Sequence, residues 1–193
     1  MTGPEALATT PASGPGRVVV LALGSNLGDR LANLQAGVAA LCDGGLHCTA
    51  VSAVFETAPV GGPDQGDYLN AVLLARSTLP ALDILRRSQR AEAALHRVRT
   101  VRFGPRTLDV DVIACGDELS SDPELTLPHP RAHERAFVLA PWHDVAPDAV
   151  LPGHGSVAGL LAAAPDRAGL RRLDDAALIL PAAGAKGADV PCR

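Results

Sequence analysis

Aromatic side chains are scarce in this chain: one tryptophan, one tyrosine and three phenylalanines make up 3% of its 193 residues. A module that reads single-stranded RNA on a small sheet needs several aromatics exposed on its central strands, so the scarcity argues against one. Long apolar runs are missing too. The longest near the start, residues 18–23, is far short of a membrane span, and residues 1–16 lack the basic and then apolar stretches of a secretory signal. Four cysteines (Cys42, Cys48, Cys115 and Cys192) form no CxxC pair, which excludes the common zinc-ribbon spacings. A core of this size does not depend on disulfides, so free thiols in a cytoplasmic protein are expected. No GxSxG elbow and no HExxH occur: His133-Glu134 is followed by Arg135-Ala136-Phe137, and Pro130 keeps His129 and His133 off one regular helix face. These absences argue against covalent nucleophilic catalysis and zinc hydrolysis.

What remains is a globular composition, 47% hydrophobic and 20% charged, with a net charge of −4. Its length suits one domain, expected over residues 17–181, with a disordered leader at 1–16 and a flexible tail at 182–193. Sixteen of the seventeen basic residues are arginine, and seven of those fall between Arg86 and Arg106. On a net-acidic chain with pI near 5.8, that local cluster suits a small polyanion better than a long nucleic acid.

Periodicity predicts strands over 18–23, 47–55, 68–75 and 107–114, with helices from Asp29 to about Cys42 and over 82–96. The order β-α-β-β-α-β is that of an α+β, ferredoxin-like sandwich, an antiparallel sheet with helices on one face. Residues 128–152 read as irregular and proline-punctuated, and 157–163 as a short helix among C-terminal additions.

The most telling stretch is residues 102–113, Arg-Phe-Gly-Pro-Arg-Thr-Leu-Asp-Val-Asp-Val-Ile. On a strand, Asp109 and Asp111 share a face about 7 Å apart, while Leu108, Val110 and Val112 face the core. Two carboxylates side by side at a core edge repel each other unless cations offset them. Arg97, Arg99, Arg102 and Arg106 lie just upstream, so the pattern suits a divalent metal held with a phosphate ester. On the 82–96 helix, Leu82, Leu85, Gln89, Glu92 and His96 form one stripe that turns from apolar to polar, as expected where a helix leaves a core and enters a cleft. Gly24-Ser25-Asn26-Leu27-Gly28 lacks the Lys-Ser/Thr of a phosphate-binding loop and reads as a structural turn.

Four segments in order resemble the 6-hydroxymethyl-7,8-dihydropterin pyrophosphokinase family: Gly24-Ser-Asn-Leu-Gly28; Thr57-Ala-Pro-Val-Gly61 with Asp67-Tyr-Leu-Asn70; residues 102–111; and Leu127-Pro-His-Pro130 with Arg135-Ala-Phe137. The resemblance implies transfer of pyrophosphate from ATP, as co-substrate, to the pterin's hydroxymethyl oxygen in folate biosynthesis. It implies two Mg²⁺ ions on Asp109 and Asp111, and Arg97 and Arg99 closing over the phosphates as catalytic groups. ATP would be bound by Gln89, Glu92, Arg99, Arg102, Arg106, Val112, Thr126, His129 and Arg135. The pterin would lie between Tyr68 and Phe137, with Asn70, Thr57, Pro59, Val60, Phe103 and Asp109 around it. Phe103 stands where the family commonly has tryptophan, and Cys115 where it has a larger apolar residue. Small-molecule substrates, no nucleic acid, no membrane and a monomer are expected. Rival readings are another Mg²⁺-dependent kinase or nucleotidyl transferase, an RNA-binding module, and a regulatory domain that binds a pterin without turnover.

Overall fold

Nine residues of the first apolar run form β1 (Arg17–Ser25), the strand around which the sheet is built. The computed structural model describes residues 16–42, 45–59, 65–95 and 106–182. Helix α1 (Arg30–Leu41) follows the turn at 26–29, where the Asp29 carboxylate accepts a hydrogen bond from Ala32 N–H at 3.0 Å, the predicted cap. Next come β2 (His47–Val51), β3 (Val54–Thr57), β4 (Tyr68–Ser77), α2 (Ala81–Ala94) and β5 (Asp109–Cys115). Beyond them lie the hairpin β6 (Ser120–Ser121) and β7 (Thr126–Leu127), α3 (Ala136–Val145), the hairpin β8 (Val150–Leu151) and β9 (Gly155–Ser156), α4 (Val157–Ala163) and β10 (Arg171–Leu173). The main sheet runs β10-β3-β4-β1-β5, with β2 also on β4, and every pairing is antiparallel.

Two expectations about elements need correction. The single strand expected over 47–55 is two strands, because Ser52 interrupts the ladder. Its hydroxyl accepts from Val72 N–H at 2.9 Å, while the next amide, Ala53 N–H, turns away to Asp144 at 2.9 Å. The stretch 128–152, expected to be irregular, contains α3. That helix has no local capping side chain; Asp166, 30 residues downstream, accepts from Ala136 N–H at 2.8 Å.

The strands bury apolar side chains on both faces. On one, Val19, Leu21, Leu23, Leu73, Val110 and Val112 meet Leu34, Val38, Ile84 and Ala91 of α1 and α2. Gly37 lets α1 come close: a Cβ there would lie 2.9 Å from a methyl of buried Leu108. On the other face, Val20, Val72 and Ile113 meet Val138, Leu139 and Trp142 of α3 and Val157 of α4. The expectation of helices on one face therefore holds for α1 and α2 only; α3 and α4 cover the second, which is equally apolar.

The cysteine expectation also changes. Cys42, at the end of α1, and Cys48, on β2, are joined in a disulfide with their Cα atoms 5.4 Å apart, because the short connection folds the chain straight back. Cys115 is free and buried, and burial pushes its thiol pKa up. Cys192 and nearly all of the expected leader and tail lie outside the described residues. Among the described residues no helix is long and apolar enough to cross a membrane.

Candidate active site

Strand register gathers the chemistry at one end of the sheet. Gly24 of β1 lies opposite Asn70 of β4 on one side and Asp109 of β5 on the other. A Cβ on Gly24 would stand 3.6 Å from Asn70 Oδ1, 3.7 Å from the Tyr68 ring and 3.9 Å from Asp109 Cβ, so the glycine leaves the floor between these groups open. Above it is a cleft of about 570 Å³.

One wall is electrostatic. Asp109 Oδ2 accepts from Arg106 Nη1 at 2.6 Å, and Asp111 Oδ2 lies 3.9 Å from His129 Nε2. Burial, reinforced by the neighbouring Asp109 charge, raises the Asp111 carboxyl above the ordinary carboxylate range. Burial lowers His129, against the pull of Asp111. His129 Nδ1 accepts from Arg131 N–H at 3.2 Å, so in the neutral ring the proton sits on Nε2 and points toward the carboxylate. Arg135 lies with its guanidinium carbon 5.4 Å from the centroid of the Phe137 ring; burial, and next the Arg131 charge, lower its pKa.

The other wall offers flat surfaces and fixed polarity. Tyr68 and Phe137 both line the cleft. Asn70 Nδ2 donates to Thr57 Oγ1 at 2.9 Å and to Phe55 O at 3.4 Å, which orients the amide and turns its oxygen toward the cleft floor. From α2, exposed Gln89 and buried Glu92 reach the cleft, as the polar half of the stripe predicted. Glu92 also braces β5: its Oε1 accepts from Val110 N–H at 2.8 Å.

The 24–28 segment, read from sequence as a structural turn, contributes Gly24 to the cleft floor and a hydrogen-bonding anchor at Asn26. Asn26 exchanges hydrogen bonds with the Arg106 backbone (2.8 Å to its Oδ1, 3.2 Å from its N–H) and donates to Gln65 Oε1 at 2.9 Å. It thereby fixes where Arg106 enters the cleft.

Of the residues nominated from sequence, Thr57, Tyr68, Asn70, Gln89, Glu92, Arg106, Asp109, Asp111, His129, Arg135 and Phe137 meet in this one cleft. Pro59, Val112 and Thr126 do not line it: Val112 is buried in the α1–α2 core, and the Thr126 hydroxyl donates to Asp122 O at 3.2 Å. Val60, Arg97, Arg99, Arg102 and Phe103 lie outside the described residues. Two polar lining residues, Gln65 and Arg131, were missed. Arg131 directly follows the Leu-Pro-His-Pro segment, and that adjacency was the available signal.

Among the described residues no cluster of three or more metal-ligating side chains occurs. The donors present are the two carboxylates of Asp109 and Asp111. Such a set fits Mg²⁺, which binds through one or two carboxylates and completes its shell with water and substrate phosphates. It does not fit a zinc or calcium cage.

Comparison with known proteins places the chain in a family. The family model for 7,8-dihydro-6-hydroxymethylpterin-pyrophosphokinase (HPPK) matches residues 20–147, which take in every residue lining the cleft. The chain belongs to the HPPK family. A protein of Mycobacterium tuberculosis (strain H37Rv), named 2-amino-4-hydroxy-6-hydroxymethyldihydropteridine pyrophosphokinase, is 48% identical over 143 residues, covering 69% of this chain and 74% of its own. A Bacillus subtilis (strain 168) protein of the same name is 40% identical over 129 residues, covering 66% and 77%. Among solved structures, Plasmodium falciparum HPPK-DHPS with pterin and p-hydroxybenzoate superposes with TM-score 0.61 at 13% identity, over 83% of this chain and 45% of that one. That likeness concerns the fold, and this HPPK-family chain spans under half the length of that fused protein.

Proposed function

We propose that this chain transfers the terminal pyrophosphoryl unit of ATP to 6-hydroxymethyl-7,8-dihydropterin, giving AMP and the pterin diphosphate, a step of folate biosynthesis. One observation carries the reading: a single cleft holds two aromatics and an oriented amide on one wall, and two carboxylates with arginines and a histidine on the other. The first wall suits a flat, hydrogen-bonding bicycle; the second suits a triphosphate.

In this reading Tyr68 and Phe137 stack on the pterin, and Asn70 Oδ1 accepts from its amide-like edge. Thr57 acts through Asn70, since its hydroxyl already accepts from that side chain. Arg106, His129 and Arg135 hold the phosphates, with Gln89 on the nucleotide side. The pterin's hydroxymethyl oxygen attacks the β-phosphorus and gives up its proton to water, the bond from that phosphorus to the bridging oxygen of AMP breaks, and AMP leaves with the electron pair. Such a reaction needs alignment and charge neutralisation rather than a covalent nucleophile. Asp109 and Asp111 are the residues that would hold Mg²⁺, two ions in our reading, which when bound neutralises the triphosphate and polarises its phosphorus. Arg97, Arg99, Arg102, Phe103 and Val60 are assigned here on family resemblance.

The core β1-α1-(β2,β3)-β4-α2-β5 is read as the ferredoxin-like βαββαβ sandwich, with β2 and β3 together in the place of its second strand, and residues 17–181 as one domain.

Nucleotide analysis tests the proposal. With Mg²⁺ and ATP, AMP should appear only when 6-hydroxymethyl-7,8-dihydropterin is added, and chelating the metal should stop it. ADP as product, or AMP formed equally without the pterin, would contradict it.

A further inference from the structure

Two charged lining residues have no part in the transfer described above: Glu92, which braces β5, and Arg131. Arg131 stands two residues after His129 and four before Arg135, and it lines the cleft with them. Its backbone N–H is spent on His129 Nδ1. Its Nε donates to Glu134 Oε1 at 2.8 Å, an exposed pair, while its two terminal amino groups have no hydrogen-bond partner among the described residues.

The Arg131 charge bears on Arg135, which lines the cleft with it. Arg106 lines the same cleft. Arg106 is already paired with Asp109 at 2.6 Å, whereas the terminal amino groups of Arg131 have donors to spare. Glu134 compensates only part of the charge and from outside, since it does not line the cleft. An exposed Arg–Glu pair separated by three residues is weak and rearranges at little cost, and it leaves the free end of a planar fork available to phosphate oxygens.

We propose that Arg131 is a nucleotide-binding residue of this enzyme, its terminal amino groups taking a phosphate oxygen of the triphosphate while only its Nε is engaged by Glu134. The inference rests on the pyrophosphokinase reading and adds to it a residue that the nominated motif residues do not include.

Titration calorimetry with Mg²⁺ and a non-hydrolysable α,β-methylene analogue of ATP tests it on the full chain. Arg131→Gln should weaken binding of the analogue by about five-fold, the scale of one exposed charge-assisted contact, with the deficit shrinking as salt is raised. In turnover the same variant should raise KM for ATP and leave KM for the pterin unchanged. Glu134→Gln keeps Arg131 in place and should bind the analogue at least as well as the wild type. Wild-type affinity in Arg131→Gln would overturn the inference alone. Equal losses in Arg131→Gln and Glu134→Gln would also overturn it, since they would mean that the ion pair merely shapes the loop. A wild-type chain that binds no nucleotide would overturn the inference together with the reading beneath it.

Discussion

Asp111 is a carboxylate that a bound cation would relieve: burial and the neighbouring Asp109 charge raise its pKa, and the histidine 3.9 Å away is kept toward neutrality by its own burial. Replacing it by Asn keeps the shape and removes the charge. Asp111→Asn should cut kcat by about 10²–10³-fold, the cost typical of deleting one preorganised electrostatic group, while pterin binding and the unfolding midpoint stay near wild type. Wild-type turnover would remove Asp111 from the mechanism. Glu92 shows what the sequence carried and what it did not. Its place on the polar half of the α2 stripe was legible from helical spacing, but its hydrogen bond to Val110 N–H was not, because nothing local links residues 18 apart. Glu92→Ala strands that buried N–H and should cost about 1–3 kcal/mol in urea unfolding, whereas Glu92→Gln retains an acceptor and should lose much less. Equal stability of the three proteins would mean that the contact carries no weight.

Between elements, the clearest joint is at Glu56 on β3, whose carboxylate receives Arg30 of α1 at 3.0 Å and Arg171 of β10. The Arg171 hydrogen bond holds Glu56 below its ordinary value of 4.5, Arg30 adds to that, and partial burial opposes both. A carboxyl whose pKa is depressed in the folded state stabilises above its unfolded value and loses that contribution as pH falls through the folded one. The joint should therefore weaken in acid below the ordinary value, seen as faster amide exchange in β3 and β10, and Glu56→Gln should show this loosening already at neutral pH. An acid response identical in Glu56→Gln and wild type would place the sensitivity elsewhere. Local pattern made β1, the Asp29 cap, α2 and β5 legible, since each declares itself within a few residues. The break at Ser52, the capping of α3 by Asp166 and the Cys42–Cys48 bridge were not legible, because each depends on where another segment passes. The site followed the same rule: the aspartates and aromatics were found by motif, and Arg131 and Gln65 only by their place in the cleft.

At the scale of the whole molecule, catalysis and closure occupy different stretches of chain. Among the described residues, none beyond Phe137 lines the cleft. The described chain continues to residue 182 and covers the far edge of the sheet: β10 pairs with β3, Leu178 is buried in the α1–α2 core, and Gln35 exchanges two 2.8 Å hydrogen bonds with the backbone of Ile179. Ending the chain after residue 170 should uncover the β3 edge and forfeit about 1.5–3 kcal/mol for Leu178 alone, promoting association, while molecules that stay folded keep wild-type KM for both substrates. Large changes in KM would show that the segment after residue 170 shapes the cleft. The central claim is that both terminal phosphates of ATP pass to the pterin as one unit. It is tested most directly by supplying ATP radiolabelled at the β-phosphorus with 6-hydroxymethyl-7,8-dihydropterin and following the label. The account predicts all transferred label in the pterin product and none in AMP or free pyrophosphate; label in ADP or released pyrophosphate would contradict it.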